Sequence, residues 1–135
     1  MRKGLMLGLA VIFLFSLTAL ADNKVEQKTM SGTLNCVTCD LKASNGAHSQ
    51  CKIYGHNYAL KLDDGSYISF MENDHSEPLI KAGEGKWLGQ KVKVTGTYYP
   101  MAHMMDVQNF EVMGKNYSWC DTHKTMDQCN TDMGH

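Results

Sequence analysis

The chain has 135 residues, with 13 basic and 14 acidic side chains and a formal net charge of −1 when its histidines are neutral. This balance lacks the basic footprint of nucleic-acid-binding proteins, and no polybasic cluster suggests attraction to anionic lipids. We therefore expect neither nucleic acid nor an anionic lipid surface as a partner.

The N-terminal segment has the three parts of a cleavable export signal. Arg2 and Lys3 precede an uncharged, mostly apolar run at residues 4–21, which closes on the small-x-small sequence Ala19-Leu20-Ala21. An uncleaved membrane anchor is the alternative, but spanning a bilayer takes about 20 apolar residues, so this run is short. We predict cleavage before Asp22, no membrane span afterwards, and a periplasmic or secreted protein of net charge −3.

Beyond the signal peptide (residues 1–21), the chain divides into a polar lead-in (22–28), a β-barrel (29–117) and a tail (118–135). The alternation of apolar and polar residues predicts strands at residues 29–37, 57–62, 66–72, 91–99 and 105–113. The turn sequence Asp63-Asp64-Gly65 joins the second and third strands as a hairpin. A short helix follows, with Ser76 as its N-cap and Gly83 at its end. We expect a β-bulge within residues 107–110, where strict alternation breaks.

This order predicts an all-β protein: a five-stranded, OB-fold-like, partly open barrel with a short helix between strands 3 and 4. The tail is predicted to be irregular and rich in Cys, His and Met. The chain resembles small exported bacterial OB-fold proteins of uncharacterised function over about residues 30–113. The resemblance is carried by residues 58–70 (YALKLDDGSYISF), 89–99 (GQKVKVTGTYY) and 106–112 (DVQNFEV). It implies the fold and includes no catalytic signature.

The first candidate site combines a CxxC motif with later soft ligands. Cys36 and Cys39 are followed by Cys51 and His56, which together supply the donors of a tetrahedral Cys₃His metal site. His48 is an alternative fourth ligand. Two other interpretations remain open: a disulfide from Cys51 to Cys36 or Cys39, and a thiol redox pair of Cys36 and Cys39. Redox CxxC motifs normally begin a helix, whereas Cys36 is expected to end a strand.

The second candidate site is the tail. Cys120, His123, Met126 and Cys129 recur at intervals of three, with Met133 and His135 beyond them. Such donors select copper(I), or zinc where thiols dominate. A further soft patch consists of Met101, His103, Met104 and Met105. The alternative is a local disulfide from Cys120 to Cys129, with methionines packed in the core.

The five cysteines are an odd number, so at least one is free, metal-bound or paired with another chain. No motif of a hydrolase, metalloprotease or phosphate-binding loop occurs, so an enzyme is the less favoured interpretation. The leading hypothesis is a non-enzymatic exported OB-fold protein that sequesters or carries copper or zinc. The alternatives are a disulfide-stapled module that binds a protein or glycan of the bacterial envelope, and a thiol oxidoreductase that requires an exposed Cys36 of lowered pKa.

Overall fold

The computed structural model describes residues 23–127. The predicted signal peptide with its cleavage site, and the tail residues Cys129, Met133 and His135, lie outside the described residues. Within residues 23–127, no helix has the length and apolar character needed to span a bilayer.

The described part contains seven strands and three short α-helices. These are β1 (Glu26–Cys36), α1 (Val37–Asn45), α2 (Cys51–Tyr54), β2 (Tyr58–Lys61), β3 (Tyr67–Phe70), α3 (Glu77–Ile80), β4 (Lys91–Tyr99), β5 (Met104–Val112), β6 (Lys115–Cys120) and β7 (Thr125–Asp127). All five predicted strands and the short helix between strands 3 and 4 are present. The predicted all-β, OB-fold-like barrel is confirmed.

Strands β1 to β5 form a closed barrel. The long strand β1 pairs antiparallel with both β2 and β4, β2 pairs with β3, and β4 pairs with β5. A parallel pairing of β3 with β5, Ser69 opposite Met104 and Phe70 opposite Met105, completes the circle. The barrel is therefore closed at the seam that an open OB-fold would leave unpaired.

Strand β1 passes from β4 to β2 near Gly32. A Cβ atom at Gly32 would lie 2.4 Å from the carbonyl oxygen of Lys61, so only glycine lets the two backbones approach this closely. The expected bulge is also present: Thr95 pairs with Asn109 and Gly96 with Val107, which leaves Gln108 as the extra residue.

The start of helix α3 differs in detail from the prediction. Ser76 occupies the N-cap position, but its side chain makes no capping hydrogen bond. Instead, the side-chain oxygen of Asn73 accepts hydrogen bonds from the backbone N–H groups of His75 and Ser76. The helix ends at Ile80, before the predicted stop at Gly83.

The predicted irregular tail is wrong for the residues that the structure describes there. Strand β6 pairs with β5 and runs across the predicted boundary at residues 117 and 118, and β7 pairs with β6. Strand β6 has a polar sequence without apolar alternation, so its pattern does not predict a strand. Backbone pairing with its neighbours and two aromatic side chains hold it in place. Tyr117 stacks on Phe110, and Trp119 stacks on His75.

The core is built mainly by alternate residues along each barrel strand, whose side chains point inward. Fourteen buried residues form one cluster: Leu34, Leu60, Ile68, Phe70, Leu79, Ala82, Val92, Val94, Tyr98, Met105, Val107, Phe110, Val112 and Met126. Neither α1 nor α2 contributes a buried residue. The excursion, defined here as residues 37–57 between β1 and β2, therefore lies outside the core.

Replacing Phe110 by alanine is expected to destabilise the barrel strongly. The ring is 1% exposed, stacks on Tyr117 and meets the edge of Trp87, so the substitution leaves a cavity. The expected loss in the free energy of unfolding is about 3–5 kcal/mol, measured by urea titration. Met101→Ala is the control, because Met101 is 77% exposed and its truncation should change stability by less than about 0.5 kcal/mol. Equal effects of the two substitutions would contradict the assigned core.

Candidate metal centre

The first predicted ligand cluster is assembled in the structure. The ligand atoms of Cys36, Cys39, Cys51 and His56 all lie within 4.8 Å of one another. The Sγ atom of Cys51 is 3.2 Å from that of Cys39 and 3.9 Å from that of Cys36. Nδ1 of His56 is 3.5 Å from the Sγ of Cys39.

These separations match a tetrahedral zinc site. With zinc–sulfur bonds of about 2.3 Å, two sulfur ligands at tetrahedral angles lie about 3.8 Å apart. The sulfur pairs at 3.2 and 3.9 Å lie on both sides of that value, so shifts of well under 1 Å in the side chains would receive an ion. Three thiolates and one imidazole would supply all four ligands of such an ion.

Each ligand is placed by a different local structure. Cys36 is the last residue of β1 and also the N-cap of α1, and Cys39 follows in the first turn of that helix. Cys51 begins α2. His56 follows Gly55, whose φ of +87° turns the chain back towards β2. The imidazole of His56 stacks on the ring of Tyr58, with ring centroids 5.3 Å apart.

The expectation that Cys36 would end a strand, and so depart from a redox CxxC motif, is half correct. The motif does begin a helix, because the chain changes directly from β1 to α1 at this residue. The sequence does not predict this helix, because residues 37–45 lack the apolar stripe that a helix packed on a core would have, and none of them is buried. However, Cys36 is only 2% exposed, so its thiol does not meet the exposure that the oxidoreductase hypothesis requires.

Hydroxyl groups surround the sulfurs and favour their ionised forms. The Oγ atoms of Ser49 and Thr38 lie 2.9 and 3.0 Å from the Sγ of Cys51, and these hydrogen bonds lower its pKa. Burial acts to raise the pKa of Cys36, but hydrogen bonds from Thr38, the backbone of Cys39 and the His56 side chain outweigh it and lower the pKa to about 6.

Cys39 is the thiol of the cluster that holds its proton most firmly. Its thiol donates to Cys51 and interacts with Cys36, and these contacts raise the pKa of Cys39 to about 12. The interaction with Cys36 also raises the pKa of His56. A metal ion that binds all four groups must displace these protons, because only thiolates and neutral imidazole are ligands.

A polar anchor attaches α1 to the barrel. The Oδ2 atom of Asp40 accepts a hydrogen bond from Nζ of Lys61 on β2 at 2.6 Å and another from the hydroxyl of Tyr67 on β3. These contacts lower the pKa of Asp40, with the Lys61 hydrogen bond as the largest cause. No sequence pattern predicts this contact, because Lys61 and Tyr67 lie 21 and 27 positions after Asp40.

The other predicted ligands do not join the cluster. His48 lies in the excursion but is not among the converging groups. Within residues 23–127, no other group of three or more Cys, His, Asp or Glu residues brings its ligand atoms this close together.

The predicted tail site is divided between the core and the surface. Met126 is 5% exposed and belongs to the barrel core, whereas His123 is exposed and contacts Asp127 at 3.1 Å. Cys120 is buried and is not one of the free thiols, which are Cys36, Cys39 and Cys51 in the described part. Because Cys129 lies outside the described residues, the pairing of Cys120 with Cys129 stays a prediction.

The soft patch at residues 101–105 is divided in the same way. Met101 is 77% exposed, whereas Met105 is fully buried in the core. The thioethers of Met101 and Met105 therefore lie in different environments, one in solvent and one in the core.

No family model, characterised protein or solved structure matches this chain in comparisons with known proteins.

Replacing Asp40 by alanine is expected to release α1 from the barrel. The substitution removes both hydrogen bonds, while alanine is the better helix former, so a poorer helix propensity cannot explain any loosening. Amide hydrogen exchange of metal-free, reduced protein should become several-fold faster within residues 37–45 and stay unchanged in β4 and β5. The control is Asp63→Ala, because the Asp63 side chain is 92% exposed in a turn. Unchanged exchange in α1 would contradict an anchoring role for Asp40.

Proposed function

We propose that this chain is a non-enzymatic, exported, zinc-binding protein in which Cys36, Cys39, Cys51 and His56 hold one ion. The observation that supports this most is the convergence of four soft or borderline ligand atoms within 4.8 Å, from positions spread over 21 residues. The site lies where β1 meets the excursion, and its residues range from buried Cys36 to exposed His56. Such a site suits sequestration or transport of an ion.

The donor set favours zinc over copper. Three thiolates and an imidazole form a common zinc site, whereas thioether ligands would favour copper(I). Met105 and Met126, two methionines of the predicted soft patches, lie in the barrel core and are therefore not available as thioether ligands. Export rests on the pattern of residues 1–21, and an extracytoplasmic location would place the thiols where a bound ion protects them from oxidation.

A stapled interaction module is the second candidate. Ile53 and Tyr54 on α2 are 70% and 82% exposed, and apolar side chains in this position favour contact with a partner protein. In that case, purified protein would contain disulfides and no bound metal.

Purified mature protein, prepared under a mild thiol reductant, is expected to contain one zinc ion per chain by elemental analysis. Replacing His56 by glutamine removes a ligand. Mutation of a residue that only hydrogen-bonds to a metal ligand typically lowers the metal affinity about 10–100-fold. Loss of the ligand His56 itself should lower the zinc affinity by at least this factor. The measurement is a competition titration with a chromophoric chelator. Cobalt-substituted protein should show thiolate-to-metal charge transfer, and its intensity should fall in Cys51→Ser, which removes one of the three thiolates.

The matched control for His56→Gln is His48→Gln. His48 lies in the same excursion and is exposed, but it is not one of the converging ligands. It should retain the affinity of the unmodified protein. Metal-free protein with all thiols titratable, or equal losses in the two histidine variants, would overturn the proposed site.

A further inference from the structure

Of the three free thiols in the described part of the chain, the two in the excursion are placed to form a disulfide with each other. The Sγ atoms of Cys39 and Cys51 are 3.2 Å apart, whereas a tetrahedral zinc site would hold them at about 3.8 Å and a disulfide at about 2.05 Å. The pair Cys36 and Cys51 is more distant, at 3.9 Å. The separation of these two sulfurs therefore lies between the value for two ligands of one ion and the value for a disulfide bond.

The two thiols are also the ones that a reagent can reach. An open groove of about 500 Å³ is lined by Cys39, Cys51 and His56 together with Ile53, but not by Cys36. Cys36 is only 2% exposed. Attack from solvent therefore involves Cys39 or Cys51.

The groove carries positive charge. Lys42 and Lys52 line it, and the one acidic residue of the excursion, Asp40, is already paired with Lys61. An anionic reagent is thus attracted to this groove, and its apolar wall at Ile53 accommodates the body of a small peptide.

We propose that this groove is a thiol–disulfide exchange site, at which a small anionic disulfide oxidises Cys39 and Cys51 to a disulfide and thereby expels the bound ion. The inference rests on the proposed zinc site for the release step. One of the two thiolates attacks a sulfur of the disulfide reagent, so that a mixed disulfide forms and the first thiolate of the reagent leaves. The second cysteine thiolate then attacks the protein sulfur of the mixed disulfide, and the second reagent thiolate leaves.

The balance of this exchange explains the release. Cys39 and Cys51 lose two electrons, which the two departing thiolates carry away, and each sulfur gives up its bond to the ion. Cys36 and His56 remain as two ligands, too few for the four-coordinate site that zinc requires in proteins. Reduction of the disulfide by a dithiol restores both thiolates and the site.

The test uses full-length mature protein loaded with one equivalent of zinc and treated with oxidised glutathione. Released zinc is followed with a chromophoric chelator. Tryptic peptides then show whether residues 29–42, with Cys36 and Cys39, become linked to residues 43–52, with Cys51. We expect linkage and zinc release to proceed at the same rate. Zinc that stays bound while the peptides become linked would overturn the coupling.

Two serine variants identify the pair. Metal-free Cys36→Ser should still form the peptide link to completion, whereas Cys39→Ser should lose most of it. The opposite result would show that Cys36 pairs with Cys51 and would overturn the assignment. The zinc content before oxidation separately reports on the proposed function, so a chain without zinc that still links Cys39 to Cys51 refutes the metal site and leaves the disulfide assignment standing.

The role of the groove is tested by the charge of the reagent. Oxidised glutathione should react several-fold faster than the cationic disulfide cystamine, and this preference should shrink in Lys42→Gln/Lys52→Gln. Lys91→Gln is the control, because Lys91 lies on β4 and lines a different cavity. Equal rates for the two reagents with unmodified protein would overturn the groove as the point of entry.

Discussion

The candidate centre depends on the pairing of β1 with β2. Their register sets Cys36 opposite Tyr58, and the backbone N–H of Val37 donates to the carbonyl of Asn57 at 2.9 Å. The excursion therefore leaves and rejoins the barrel at one point, and Cys36 and His56 are neighbours although 20 residues separate them. The other two ligand residues come from the helices of the excursion. Cys39 lies in α1 and Cys51 begins α2, and both side chains lie next to Cys36 and His56.

Polar contacts hold the excursion where apolar packing does not. Asp40 fixes α1 to Lys61 and Tyr67, and hydroxyl groups from Thr38 and Ser49 contact the sulfurs. An ion bound by ligands at both ends and in the middle of the excursion would add the cross-link that a core normally supplies. Binding of such an ion and ordering of this segment would then be thermodynamically coupled, as in small zinc-binding domains.

The barrel was predictable because its strands alternate strongly and its turns carry clear signals. The strand at Lys91–Tyr99 and the bulge at Gln108 follow directly from the spacing of Val92, Val94, Val107 and Phe110. The four candidate ligands of the first site were also named from the sequence, since CxxC with a nearby Cys and His is a recognisable donor set.

What the sequence could not show is which residues distant along the chain contact each other. The anchor at Asp40, the role of Asn73 in starting α3 and the packing of Met126 into the core all depend on partners distant along the chain. Strand β6 was not predicted, because its backbone pairing with β5 and β7, rather than its own polar sequence, makes it a strand.

The absence of buried residues in α1 and α2 bears on how this protein can diversify. Insertions and substitutions in a surface connection cost little when no packed side chain depends on it, since loop closure becomes only slowly less favourable with length. The barrel can therefore keep its fold while the connection between its first two strands exchanges donor atoms, changes length or gains contact surface. Selection for a different ion or partner would act on about 20 residues and leave the barrel core untouched.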